Sequence, residues 1–161
     1  MPSDLRAICE ELRRVGSRPE TPALRQKLED GLSSKWDGVQ VAAATALSQW
    51  GDARSVRSLK ELLAAVAAKP DRSSTTHALA KLLFPHLQPT DLNWTIDVFI
   101  NQSCAGNRGW LALLFEAFSP AELRQRLAAQ KLHGGKAERD VRTAITRAQD
   151  RARVKSKSKI G

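Results

Sequence analysis

The chain has 161 residues, 42% hydrophobic and 27% charged, which suits one domain with a buried core, and no apolar run is long enough to span a bilayer. Its 26 lysines and arginines outnumber 17 acids for a formal charge of +9, a balance that points to anionic partners. Only two cysteines, Cys9 and Cys104, are present, which speaks against a disulfide framework, and the early acids of MPSDLRAICEELRR leave no signal-peptide core, so a cytoplasmic location is expected.

Alanine and leucine dominate the apolar residues, which favours helices, and no run of alternating β-branched residues makes a persuasive strand. Ser3 or Asp4 can cap a first helix, Leu5 to Val15, with Leu5, Ile8, Leu12 and Val15 as its stripe. Cys9 sits beside that stripe and reads as a small buried hydrophobe. Gly16 ends the helix. Thr21 caps a second one with Pro22 at its first position, where a missing amide costs nothing. Leu24, Leu28 and Leu32 form its stripe, and Gly31 with the following Ser-Ser-Lys closes the pair.

The next stretch has the strongest pattern. Asp37 is placed to cap a helix in which Val39, Ala42, Ala43, Ala46, Leu47 and Trp50 share one face. Half of that face is alanine, so a neighbouring helix can approach closely. Gly51 stops the helix, because glycine tolerates the left-handed conformation at a helix end. Asp52 then caps a second helix with Val56, Leu59, Leu62, Leu63, Val66 and Ala67 inward and Arg54, Arg57, Lys60 and Glu61 outside. A corner this short makes an antiparallel hairpin.

On Val39, Ala42, Ala43, Ala44, Ala46, Leu47, Gly51, Asp52, Val56, Leu59 and Leu62 this hairpin resembles the short HEAT-like repeat of phycobilin-lyase-type proteins. Gln40 stands where that pattern usually has arginine, and Trp50 where it usually has leucine. The resemblance covers one repeat. It implies an α-solenoid that acts by presenting a surface, and says nothing about the ligand.

Beyond it, Lys69 to Asp71 makes a loop, and Ser73 or Ser74 starts a helix with Ala78, Leu79, Leu82 and Leu83 inward. Pro85 ends or kinks it. Thr90 or Asp91 starts a helix carrying Leu92, Ile96, Phe99 and Ile100, followed by a polar connection over 101–107. Arg108 to Phe118 reads as a helix apolar on so many sides (Trp110, Leu111, Leu113, Leu114, Phe115 and Phe118) that it belongs in the centre of the packing. Ser119, Pro120 and Glu122 combine a cap, a first-turn proline and an early acid. Leu123, Leu127 and Leu132 follow, and Gly134-Gly135 breaks the chain. A last helix, Lys136 to Arg153, has Ala137, Val141, Ala144, Ile145, Ala148 and Ala152 on one face, which is expected to dock as a cap. The fold expected is therefore all-α: a HEAT-like α-solenoid of about four antiparallel helix pairs. It occupies residues 1–135, with a basic amphipathic helix at 136–153 and a disordered lysine–serine tail at 154–161.

The charge is not spread evenly. Twelve basic residues and three acids lie between Arg124 and Lys159, so the entire excess sits there and the remainder is neutral. Two functions fit. The helical body suits a non-enzymatic adaptor that binds a protein partner. Alternatively, Arg139, Arg142, Arg147, Arg151, Arg153, Lys155, Lys157 and Lys159 can neutralise phosphates in sequence-independent nucleic-acid binding. A basic run of this kind also suits another polyanion, or serves only as a solvated face. No aromatic residue interrupts the basic stretch, which argues against base stacking.

Chemistry-bearing residues are sparse. His77, His86 and His133 are scattered, and no paired-cysteine or His-Glu-x-x-His spacing suggests a metal. Cys104 as a nucleophile would need a base, for which His86 is the nearest candidate in sequence. LNWTID sets Trp94 and Asp97 on neighbouring helix positions, which resembles a cleft element of HEAT-like DNA glycosylases. A core tryptophan and a solvated aspartate fit those positions better. No enzyme activity, metal or cofactor is expected.

Overall fold

Residues 3–129 and 136–159 are described by the computed structural model, and among them there are helices and no strands. The punctuation residues set most boundaries. α1 (Ser3–Val15) runs to the residue before Gly16. α2 (Pro22–Leu32) starts on Thr21, whose Oγ1 accepts from the Leu24 amide at 3.2 Å. α3 (Asp37–Trp50) ends on Gly51, which takes φ +63° and donates its amide to the Leu47 carbonyl at 3.0 Å. α4 (Ala53–Ala67) and α5 (Ser73–Leu83) follow, and α5 tightens at Pro85 into a 3₁₀ turn, Phe84–His86.

Asp37 corrects the expected cap. It is the first helical residue rather than the cap, and its carboxylate is taken by Arg72 and by the Thr75 hydroxyl at 2.7 Å, tying the start of α3 to α5. Asp52 does stand at the cap of α4, but its carboxylate accepts from Arg25 and Ser55 side chains instead of backbone amides.

α3 is the hub, packed against α1, α2, α4 and α5. Ala42, Ala43, Ala44, Ala46 and Leu47 are all buried. Small residues on the partners allow this close approach: a Cβ on Gly31 would lie 2.9 Å from the Ala43 Cβ, and one on Gly16 2.7 Å from the Ala46 Cα. α4 packs on α5, and α5 continues the sequence of contacts α1 to α3 to α5 to α7. In α1, Cys9 is buried as expected, whereas Ile8 turns outward.

The second half is less regular than its sequence pattern. A capped 3₁₀ turn, Pro89–Asp91, leads into α6 (Leu92–Asp97), which loosens into a π turn at Val98–Gln102. The helix expected over 108–118 divides into α7 (Ala105–Leu111) and a 3₁₀ stretch, Ala112–Ala117. Tighter winding aligns residues three apart, so Leu111 and Leu114 fall in one row beside Phe115, and all three are buried. α8 (Pro120–Ala129) starts on a reciprocal cap: the Ser119 amide donates to Glu122 at 3.0 Å and the Glu122 amide to Ser119 Oγ at 3.2 Å.

α9 (Lys136–Ser158) is the longest element and extends past Arg153. Residues 154–158, expected as a disordered tail, continue the helix, because lysine and serine do not break one and nothing like glycine or proline intervenes. Leu132, His133, Gly134 and Gly135, and the last two tail residues, lie outside the described residues. None of the described helices is long and apolar enough to cross a membrane.

Candidate nucleic-acid interface

The seating of α9 decides what its cations can reach. Of the expected docking face, Val141, Ala144, Ile145 and Ala148 are buried against the 112–117 stretch and α8, Ala152 is part-buried, and the side chain of Ala137 lies outside the described residues. Arg108 Nη1 donates to Asp140 Oδ2 at 3.1 Å and Arg151 Nη1 to Glu116 Oε2 at 3.2 Å, fastening both halves of the helix. Arg139, Arg142, Arg147, Arg151, Arg153, Lys155 and Lys157 are exposed along it, and Lys159 is exposed just past its end.

A helix advances about 100° per residue. On that geometry Arg139, Arg142, Arg153 and Lys157 share the outward side of the helix, Arg147 and Arg151 flank the buried stripe on the groove side, and Lys155 falls in line with the stripe beyond its docked part. Six of the eight predicted residues therefore make two rows on one rod rather than one cluster, with Lys155 and Lys159 at its far end. The second row faces a feature that sequence reasoning placed in the core. Trp110 is 44% exposed, packs on His77 (ring centroids 4.7 Å apart, planes at 40°) and lines a groove of about 200 Å³ with Arg147 and Arg151. A helix apolar on many sides gives no period from which to tell the outward side chain.

Other candidate chemistry is absorbed by structure. Cys104 is the cap of α7, its thiol facing the Lys69 carbonyl at 3.6 Å. Its neighbour Asn107 is fully buried, donates to the Ala67 and Lys69 carbonyls at 3.0 and 2.6 Å and accepts from Ser73 at 3.1 Å, thereby satisfying the end of α4. His86 instead meets Ser48: the Ser48 hydroxyl donates to the Leu82 carbonyl at 2.9 Å, which leaves His86 Nε2, 3.0 Å away, as the donor. Trp94 is half-buried with the Lys60 ammonium 5.3 Å above its ring. Asp97 is exposed, and hydrogen bonds from Asn101 and then Gln102 hold its carboxyl below the ordinary range. Among the described residues no group of three or more His, Cys, Asp or Glu is placed to hold a metal ion.

Among the described residues the buried cation is Arg25, which the stripe of α2 did not reveal. Its side chain is 3% exposed, and it donates to both Asp52 oxygens at 3.0 and 2.8 Å and to Glu20, with its guanidinium 5.2 Å from the Trp50 ring centroid. The Glu20 hydrogen bond is the largest influence raising its pKa. The only hint in the sequence was Glu20 five residues ahead of it.

The chain matches no protein-family model, no curated protein and no solved structure.

Proposed function

We propose that this chain is a non-enzymatic binding protein that holds nucleic-acid phosphates on α9, with a HEAT-like helical body as its rigid mount. The observation that carries this reading is the arrangement of α9. Its apolar stripe is docked, and seven basic residues from Arg139 to Lys157 stay exposed along one helix, with Lys159 exposed just past its end. Cations fixed on a helix neutralise phosphates and release counterions without reading base sequence. The contact succession α1–α3–α5–α7 and the Gly51 hairpin support the solenoid reading, and both cysteines being free suits a cytoplasmic setting.

The test is fluorescence anisotropy with a labelled duplex, comparing the full chain with Arg139→Gln/Arg153→Gln/Lys157→Gln. Those side chains are exposed, so their loss leaves the packing intact. The substituted chain should bind less tightly at every salt concentration. Equal affinity of the two chains would defeat the proposal.

A second reading, protein adaptor, is favoured by a separate observation. Trp36 is 45% exposed beside a mostly apolar groove of about 380 Å³ bordered by Leu5, Cys9 and Val39, at the opposite end of the chain. A partner held there would be insensitive to the charges of α9.

A further inference from the structure

The groove between α7 and α9 combines two features that the linear sequence keeps 37 residues apart, at Trp110 and Arg147. We infer that this groove seats an unpaired base of a single-stranded nucleic acid, with Trp110 as the stacking platform and Arg147 as the phosphate anchor. The inference rests on the nucleic-acid reading of α9 and narrows it to strands with accessible bases.

The ring is presented rather than buried. His77 backs the indole, and the space beside Gly109, which lines the same groove, is open: a Cβ there would meet nothing within 4 Å. Arg147, on the other wall, has no ion-pair or hydrogen-bond partner among the described residues, whereas Arg151 is engaged by Glu116. The groove thus offers one uncommitted guanidinium beside one exposed aromatic face. Arg151 and Lys155 follow Arg147 at intervals of four residues, about 6 Å along the axis; Arg151 is held by Glu116, so Lys155 is the next cation open to a second phosphate. Every base has a flat π-face, so an aromatic platform with neighbouring cations holds a strand whatever its sequence. A paired base is covered on both faces by its neighbours and cannot use the platform. An isolated nucleotide would use the ring but not the row.

The experiment uses three labelled probes of equal length: a thymidine strand, the same backbone without bases, and a duplex. Stacking on one aromatic side chain contributes about 5- to 100-fold in affinity. The full chain should prefer the thymidine strand over the abasic strand by that factor. Trp110→Ala should erase this preference and leave duplex affinity within about twofold, while Trp110→Phe keeps most of it. Far-UV circular dichroism confirms that each variant is folded. If Trp110→Ala retains the preference, or the two strands bind the full chain equally, the stacking site is wrong although the phosphate reading survives. If none of the three probes binds at low salt, the phosphate reading fails and takes this inference with it.

Discussion

Replacing Arg25 with methionine should destabilise the fold, and most visibly at neutral pH. The guanidinium joins the start of α2 to the α3–α4 corner through two hydrogen bonds to Asp52 and one to Glu20, and its own side chain is 3% exposed. Breaking a fully buried ion pair costs about 3–5 kcal/mol. Here the Asp52 side chain is 42% exposed, so water can rehydrate the abandoned carboxylate, and the expected cost drops to about 1–3 kcal/mol. For a chain of this size that corresponds to a melting point lower by about 2–12 °C. The pH dependence has a definite sign. Burial raises the Asp52 carboxyl, but the hydrogen bonds from Ser55 and Arg25 outweigh it and leave the group below its ordinary 3.8. Arg25 likewise lowers Glu20 from its ordinary 4.5. Carboxyls depressed by folding contribute stability above their unfolded values and lose it on acidification through the folded ones. The gap between wild type and variant should therefore be constant from pH 7 to about 5 and close below about 4. Urea denaturation over that range measures it, with an Arg25→Met/Asp52→Asn cycle to isolate the pair. A gap that widened in acid, or a coupling below about 0.3 kcal/mol, would refute this account of Arg25.

Three further substitutions probe other joints. Gly51→Ala forces a side chain to φ +63° and sets its Cβ 3.0 Å from His86 Cε1, so urea titration should show a loss of about 1–2 kcal/mol. Asn107→Ala removes the buried amide that donates to the Ala67 and Lys69 carbonyls, leaving Ala67 with the Cys104 amide alone; about 1–3 kcal/mol should be lost in the same assay. Ile145→Ala removes a buried anchor of α9 and should cost about 2–5 kcal/mol, read as a lower melting temperature by circular dichroism.

The first half of the fold was legible because its helices are amphipathic with distinct stops. Thr21, Gly51 and the alanine face of α3 act where their chemistry places them. The second half was less so, for two physical reasons. In 108–118 apolar residues surround the axis, so periodicity could indicate burial but could not identify Trp110 as the outward ring. At 154–158 low hydrophobicity looked like disorder, yet the segment only extends a helix already docked through Val141 and Ile145. The basic residues themselves were legible from charge alone. Their division into rows follows from helical periodicity, whereas the meeting of Arg147 with Trp110 depends on tertiary contacts between segments distant in sequence. Arg25 and Asn107 were missed for the same reason: polar residues in local patterns read as solvated until their distant partners are known.

Cutting the chain at Gly135 is a poor test of the basic end, because it would bare the surface that Val141, Ala144, Ile145 and Ala148 cover. The most direct measurement is the salt dependence of duplex affinity for the full chain and for Arg139→Gln/Arg153→Gln/Lys157→Gln. Phosphate neutralisation predicts a linear fall of log affinity with log salt, with a slope shallower by about 0.9 for each contact removed, or nearly 3 for the triple substitution. A slope that the three substitutions leave unchanged, or affinity indifferent to salt, would contradict nucleic-acid binding through α9.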